Sequence, residues 1–242
     1  MDHAIQTEQL TKTFGNFTAV NAISFEVAPG EIFGFLGANG AGKTTALKML
    51  TGLLKPSGGQ AWVAGIDVQR KPEQVKRRIG YMSQKFSLYE DLTVRENIRL
   101  YGGIYGLKRT DIKAKTAVLL EKLQLEPYAD QLVAGLPLGW RQKLAFSVAL
   151  LHEPRIVFLD EPTSGVDPLT RRQFWDLIYE AAHNGVTLMV TTHYMDEAEY
   201  CNRVSIMVDG KIEALDTPRN MKKAFAAEDM DEVFRKLARS GS

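Results

Sequence analysis

Gly37-Ala38-Asn39-Gly40-Ala41-Gly42-Lys43-Thr44 fits the pattern G-x-x-x-x-G-K-[ST] at every position. Upstream, Glu31–Leu36 runs apolar into Gly37, as a buried strand does. Downstream, Thr45–Leu53 reads as a helix. A glycine-rich loop between a strand and a helix suits phosphate. Its glycines let backbone N–H groups converge on phosphate oxygens without side-chain obstruction. The helix N-terminus adds a favourable dipole and unpaired donors. Lys43 supplies a point charge to β- and γ-phosphates, and the Thr44 hydroxyl can ligate Mg²⁺. Gly37 to Thr45 therefore forms the candidate nucleotide-binding loop.

A triphosphate site also needs a carboxylate for magnesium. Ile156-Val157-Phe158-Leu159-Asp160-Glu161 supplies one. Four apolar residues make a buried strand, with Asp160 at its C-terminal edge. Open α/β sheets place ligands at that edge. Asp160 is the candidate Mg²⁺ ligand, and Glu161 can accept a proton from attacking water.

The rest of the chain alternates around these two segments. Ile23, Phe25 and Val27 alternate with polar residues, as in a half-buried strand. Gln60–Ala64, Ile79–Ser83 and Thr187–Thr191 are further candidate strands, and Leu169–Ala182 a helix. Asp209-Gly210 between Val204–Val208 and Lys211–Leu215 signals a hairpin. The middle, about 93–152, is helical in pattern without a convincing strand. The tail, Pro218–Arg239, reads as helix. Strand–helix alternation predicts an α/β core with a largely parallel sheet.

The 242 residues fit one large α/β domain, or one domain with an inserted subdomain. At 45% hydrophobic and 24% charged, the composition supports a sizeable core. A net charge of +1 creates no global field for nucleic acid or an anionic membrane, so no nucleic-acid partner is expected. The basic run Lys71 to Arg78 reads as a solvated helix face. The single cysteine, Cys201, rules out an internal disulfide. No apolar stretch approaches the ~20 residues of a membrane span, and the N-terminus lacks signal-peptide regions. The expectation is a cytosolic protein that reaches a membrane only through a partner.

Together these residues resemble the ATP-binding cassette (ABC) ATPases along nearly the whole chain. Gly37–Thr44 is similar to the family's Walker A and Ile156–Asp160 to its Walker B. Gln84, in Tyr81-Met82-Ser83-Gln84, is similar to the Q-loop. Ser164-Gly165-Val166-Asp167 is similar to the D-loop, and His193, after Val190-Thr191-Thr192, to the switch histidine. Phe86–Tyr89, Leu136–Trp140 and the run from Asp160 to Arg172 resemble ABC-2-type exporters, above all the second cassette of tandem-cassette multidrug exporters.

The resemblance implies an α/β fold: a P-loop NTPase (RecA-like) core with an antiparallel β subdomain and an inserted helical subdomain. Residues 1–242 then form one nucleotide-binding domain, with 1–92 and 153–242 as core and about 93–152 as helical subdomain. It implies that Phe14 stacks on adenine, which needs only a π-face. Thr44, Asp160 and Gln84 serve Mg²⁺, while Lys43, Gln84, Glu161 and His193 serve hydrolysis of ATP. The implied partners are ABC-2-type transmembrane subunits and a second cassette, either another copy or a tandem cassette of different sequence. Export of drug-like or hydrophobic compounds from the cytoplasmic face of the inner membrane follows from the same likeness. The alternative is an ABC ATPase with no membrane partner; the compact helical insert and the missing charged linker argue against its known forms.

One segment departs from the family. The signature loop usually reads Leu-Ser-Gly-Gly-Gln, and here it reads Leu136-Pro137-Leu138-Gly139-Trp140. In the family this loop closes on ATP held by the other cassette, and Asp167 lies at the same interface. Pro137 has neither hydroxyl nor backbone N–H, so one hydrogen bond to a charged group is lost, worth ~1.5–3 kcal/mol. Gly139 and the following helix keep backbone donors available. The expectation is weakened, not abolished, support for the partner's ATP.

Overall fold

The computed structural model describes residues 3–84 and 88–240. β1 (Ile5–Phe14) and β2 (Phe17–Val27) form a hairpin, followed by β3 (Ile32–Leu36) and α1 (Lys43–Leu50). Next come β4 (Gly58–Val63), β5 (Ile66–Asp67), the short α2 (Pro72–Lys76) and β6 (Ile79–Met82). Three helices follow in a row: α3 (Val94–Ile104), α4 (Arg109–Leu123) and α5 (Leu138–Ala149). β7 (Ile156–Asp160), α6 (Pro168–His183) and β8 (Thr187–Thr192) restore the alternation. The hairpin of β9 (Arg203–Val208) and β10 (Lys211–Asp216) leads to α7 (Pro218–Ala224) and α8 (Met230–Ser240).

Two sheets result. β2-β1-β4-β5 is antiparallel throughout. The larger sheet has the order β10-β9-β3-β8-β7-β6, parallel from β9 to β6. Its central strands are buried on both faces, which explains their unbroken apolar sequences. Phe33 and Phe35 of β3 point into one core with Leu47 and Leu50 of α1 and Phe25 of β2. Ile32 and Leu36 point into the other, with Phe146 of α5 and Trp175 of α6. The ring of Phe25 stacks on Phe33 at 5.4 Å, joining the two sheets.

Three details depart from the sequence reading. α1 starts at Lys43, two residues earlier than expected, and stops at Leu50. The tail is two helices rather than one; Ala226, at φ 47°, lies in the break. An isolated bridge, Thr93 to Leu132, ties the start of α3 to a later loop. There Thr93 and Glu96 form a capping box that fixes the helix start. No helix among the described residues is long and apolar enough to cross a membrane.

Candidate active site

β3, β8, β7 and β6 are neighbours and parallel, so their C-terminal ends share one edge of the sheet. Each strand delivers a candidate residue there. β3 leads into the glycine-rich loop, β8 into His193, β7 ends on Asp160 and Glu161, and β6 runs to Gln84.

The loop from Gly37 to Gly42 turns tightly against β2. A Cβ on Gly42 would lie 2.3 Å from the Ala19 carbonyl oxygen, and its φ of 104° is itself strained for other residues. Ala38, Asn39 and Gly40 are exposed, while Ala41 and Lys43 are buried. α1 has no side-chain cap, which leaves its first-turn N–H groups for an anion. A Gly42→Ala variant is expected to lose nucleotide binding and to melt at lower temperature. Titration with nucleotide and a thermal melt check both, and an unchanged Kd would contradict the role of the loop.

Lys43 Nζ donates to the carbonyls of Gly37 at 2.8 Å and Ala38 at 3.1 Å, and stands 3.5 Å from Glu161 Oε1. Burial lowers the pKa of this ammonium, and Glu161 and Asp160 oppose the shift. Asp160 Oδ1 accepts from Thr191 Oγ1 at 2.7 Å and from Thr44 Oγ1 at 3.0 Å. Burial raises the Asp160 pKa, and those two hydroxyls hold it back. A hydroxyl and a carboxylate side by side are hard oxygen donors of the kind Mg²⁺ takes alongside phosphate. The residues present thus fit both the phosphates and the metal.

Glu161 is the centre of the constellation. It is 7% exposed, and its backbone sits at φ 50°, in the left-handed region. Such strain costs of order 1–3 kcal/mol and collects at functional sites. Two hydrogen bonds from its N–H, to Thr191 O at 3.1 Å and Thr191 Oγ1 at 3.0 Å, hold that conformation. Gln84 Nε2 donates to Oε2 at 3.0 Å. His193 Nδ1 approaches the same oxygen to 3.1 Å, too poorly aligned for a hydrogen bond. Lys43, Gln84 and His193 therefore converge on one carboxylate.

Phe14 ends β1 and pairs with Phe17 at the hairpin tip, and β2 runs on from Phe17 to Ala19, whose carbonyl lies against Gly42 of the loop. Its ring is half exposed, with Lys12 Nζ 5.0 Å from the centroid. Lys12 lies over one face of the ring, and a partly exposed π-face is what an adenine ring needs to stack on. Of the segment Phe86–Tyr89, Phe86 and Ser87 lie outside the described residues.

Leu136 is buried, Pro137 sits at the N-cap of α5 rather than inside its first turn, and Leu138 starts the helix. A Cβ on Gly139 would meet Thr170 Cγ2 at 2.2 Å, so α5 packs tightly on the start of α6. Trp140 meets Tyr128 edge-on at 5.1 Å. Asp167 caps α6 by accepting from Thr170 N at 3.0 Å, a bond that lowers its pKa. Among the described residues, no hydrogen bond or ion pair links Leu136–Trp140 or Asp167 to Lys43, Asp160 or Glu161. A cleft of about 380 Å³ separates Gln84 and Glu161 from Leu138, Arg141 and Gln142.

Thr191, which bridges Asp160 and Glu161, was not a sequence candidate. Its only signal is a hydroxyl at the end of an apolar strand.

Residues 20–164 match the ABC transporter family. The chain is 48% identical over 96% of its length to the "Probable multidrug ABC transporter ATP-binding protein YbhF" of Escherichia coli, of which it spans 41%. It is 37% identical, over 96% of its length and 76% of the relative, to the "Nod factor export ATP-binding protein I" of Paraburkholderia xenovorans. A dimeric ATP-binding cassette in a post-hydrolysis state, bound to ADP and Pi, superposes with a TM-score of 0.80 at 25% identity, covering 88% of this chain and 98% of that one. The fold, the family match and these relatives agree: the chain belongs to the ABC transporter family, as an ATP-binding cassette.

Proposed function

We propose that this cassette is a Mg²⁺-dependent ATPase that works in pairs and powers export through ABC-2-type transmembrane subunits. The convergence of Lys43, Gln84 and His193 on the buried Glu161 carboxylate carries this reading. The loop Gly37–Thr45 binds the phosphates, with Lys43 at the β- and γ-positions, and Phe14 stacks on adenine. Thr44, Asp160 and Gln84 would hold Mg²⁺. The metal, when bound, neutralises charge that develops on the phosphates. Glu161 takes the proton of the attacking water on its carboxylate, and His193 orients that water toward the γ-phosphate. Positioning and charge neutralisation supply most of the rate.

The segments Leu136–Trp140 and Asp167 face the nucleotide of a second cassette, either another copy or a tandem cassette. The dimeric relative supports this pairing. The export direction draws on the Nod factor export relative alone. Drug-like or hydrophobic cargo and a place on the cytoplasmic face of the membrane, reached through the transmembrane partner, belong to the same reading. Co-purification with a polytopic membrane protein, and stimulation of ATP hydrolysis by candidate cargo in the reconstituted complex, test it. ATPase activity that no membrane protein accompanies or modulates would favour the partner-free alternative.

Pro137→Ser tests the signature departure. Restoring one charge-assisted hydrogen bond, worth ~1.5–3 kcal/mol, is expected to raise ATP turnover in the paired cassettes roughly tenfold. Serine at an N-cap can also bond its own helix, worth ~1 kcal/mol. Turnover and Tm are therefore read together. A rise in Tm with unchanged turnover shows a cap and no contact in trans.

A further inference from the structure

Two residues after Glu161, Thr163 is buried and donates its hydroxyl proton to Glu197 Oε1 at 2.5 Å. Glu197 is completely buried, in the 3-10 helix Met195–Tyr200 that follows His193. Arg171 of α6 reaches it, with Nε 3.7 Å from Oε1. The same guanidinium lies 4.0 Å from the Tyr194 ring centroid, and that ring packs against His193 at 4.2 Å. His193 returns to Glu161 at 3.1 Å. The contacts run from Thr163 through Glu197, Arg171, Tyr194 and His193 to Glu161, and the backbone between Glu161 and Thr163 closes the ring.

A fully buried carboxylate is a poor choice for stability alone. Desolvation offsets most of what an ion pair gains, and an apolar side chain of similar volume does as well or better. What the carboxylate adds is direction. It fixes the 3-10 helix against the segment after Glu161 through one short hydrogen bond and one cation. Glu161 and His193 each lead directly into a segment that this frame holds.

We propose that Thr163, Glu197 and Arg171 are positioning residues that set the separation of Glu161 and His193. The inference rests on the ATPase reading and adds residues that do not touch nucleotide.

A double-mutant cycle tests it. ATP hydrolysis is measured under single-turnover and steady-state conditions for the parent, Thr163→Val, His193→Ala and the double variant, with Thr163→Ser as the conservative control. Loss of alignment at the water costs up to about a hundredfold in rate. Thr163→Val is expected to lower kcat about tenfold or more, with KM for ATP within about twofold. Thr163→Ser keeps the hydroxyl and is expected to restore the rate. In the His193→Ala background, Thr163→Val is expected to cause a clearly smaller loss than in the parent, because the separation it sets no longer matters there. An unchanged kcat in Thr163→Val, a rate loss that Thr163→Ser shares, or the full loss repeated on top of His193→Ala would overturn the proposal. Should Thr163→Val not fold, Glu197→Gln replaces it in the same cycle under the same criteria. The parent and Glu161→Gln are assayed alongside. If Glu161→Gln hydrolyses at the parent rate, the ATPase reading itself fails. If only the cycle fails, that reading stands without the positioning ring.

Discussion

Glu161→Gln is expected to bind ATP with near-parental affinity and to hydrolyse it at least a hundredfold more slowly. General-base assistance contributes ~10²–10⁴ in rate, and the amide cannot take the proton. The substitution keeps the side-chain volume and leaves an amide oxygen to accept from Gln84 Nε2. Lys43 loses one anionic neighbour, yet keeps its bonds to the Gly37 and Ala38 carbonyls and lies close to Asp160. Binding and turnover should therefore separate cleanly. With hydrolysis blocked, ATP stays between paired cassettes and a closed dimer accumulates. Parent-like turnover in Glu161→Gln would contradict the role given to this carboxylate.

Lys43→Ala should give the opposite pattern, with nucleotide affinity falling first. Charge-assisted hydrogen bonds contribute ~1.5–3 kcal/mol each, so losing the ammonium is expected to raise Kd for ATP by at least tenfold. Alanine is a good helix former at the first residue of α1, so the helix itself gains. Against that, the buried Asp160 and Glu161 carboxylates lose the cation between them. Burial already raises the Asp160 pKa, and removing Lys43 raises it further. The variant should accordingly lose stability as pH rises from the ordinary carboxylate range through the raised pKa of Asp160, because burial disfavours the deprotonated form and the cation that favoured it is gone. A calorimetric titration with ATP and melts across a pH series measure both effects. An unchanged Kd would remove Lys43 from the phosphate site.

The sequence was most legible where local chemistry decides the structure. The glycines of the phosphate loop are required by backbone geometry, and the loop forms where the pattern places it. The Asp209-Gly210 turn has both central residues at positive φ, 44° and 81°, as the hairpin signal demands. The apolar runs of β3 and β7 are explained by two buried faces. Legibility failed where tertiary context intrudes. β1 was not delimited from sequence because its pairing is interrupted between Thr7 and Leu10 and again at Lys12. Gln9 sits there at φ 50°, and the irregularity destroys the period-two pattern. The tail hides its break because alanine, not glycine or proline, occupies the left-handed position.

The site divides the same way. The phosphate loop carries its own signal in eight consecutive residues. Gln84 and His193 carry none alone, since each is one polar residue at the end of a strand. They gain meaning because β6 and β8 flank β7 in the sheet, although β8 comes after β7 in the chain. Thr163, Thr191 and Glu197 act through hydrogen bonds across thirty or more residues, a separation that no local pattern encodes.

The most direct measurement is ATP turnover per cassette as protein is diluted from the micromolar to the nanomolar range with Mg²⁺ and ATP saturating. A site completed by a second cassette predicts that turnover per cassette falls on dilution, as pairs dissociate. Turnover that stays constant at every concentration would show that one chain completes the site alone, and would contradict the assignment of Leu136–Trp140 to a partner's nucleotide.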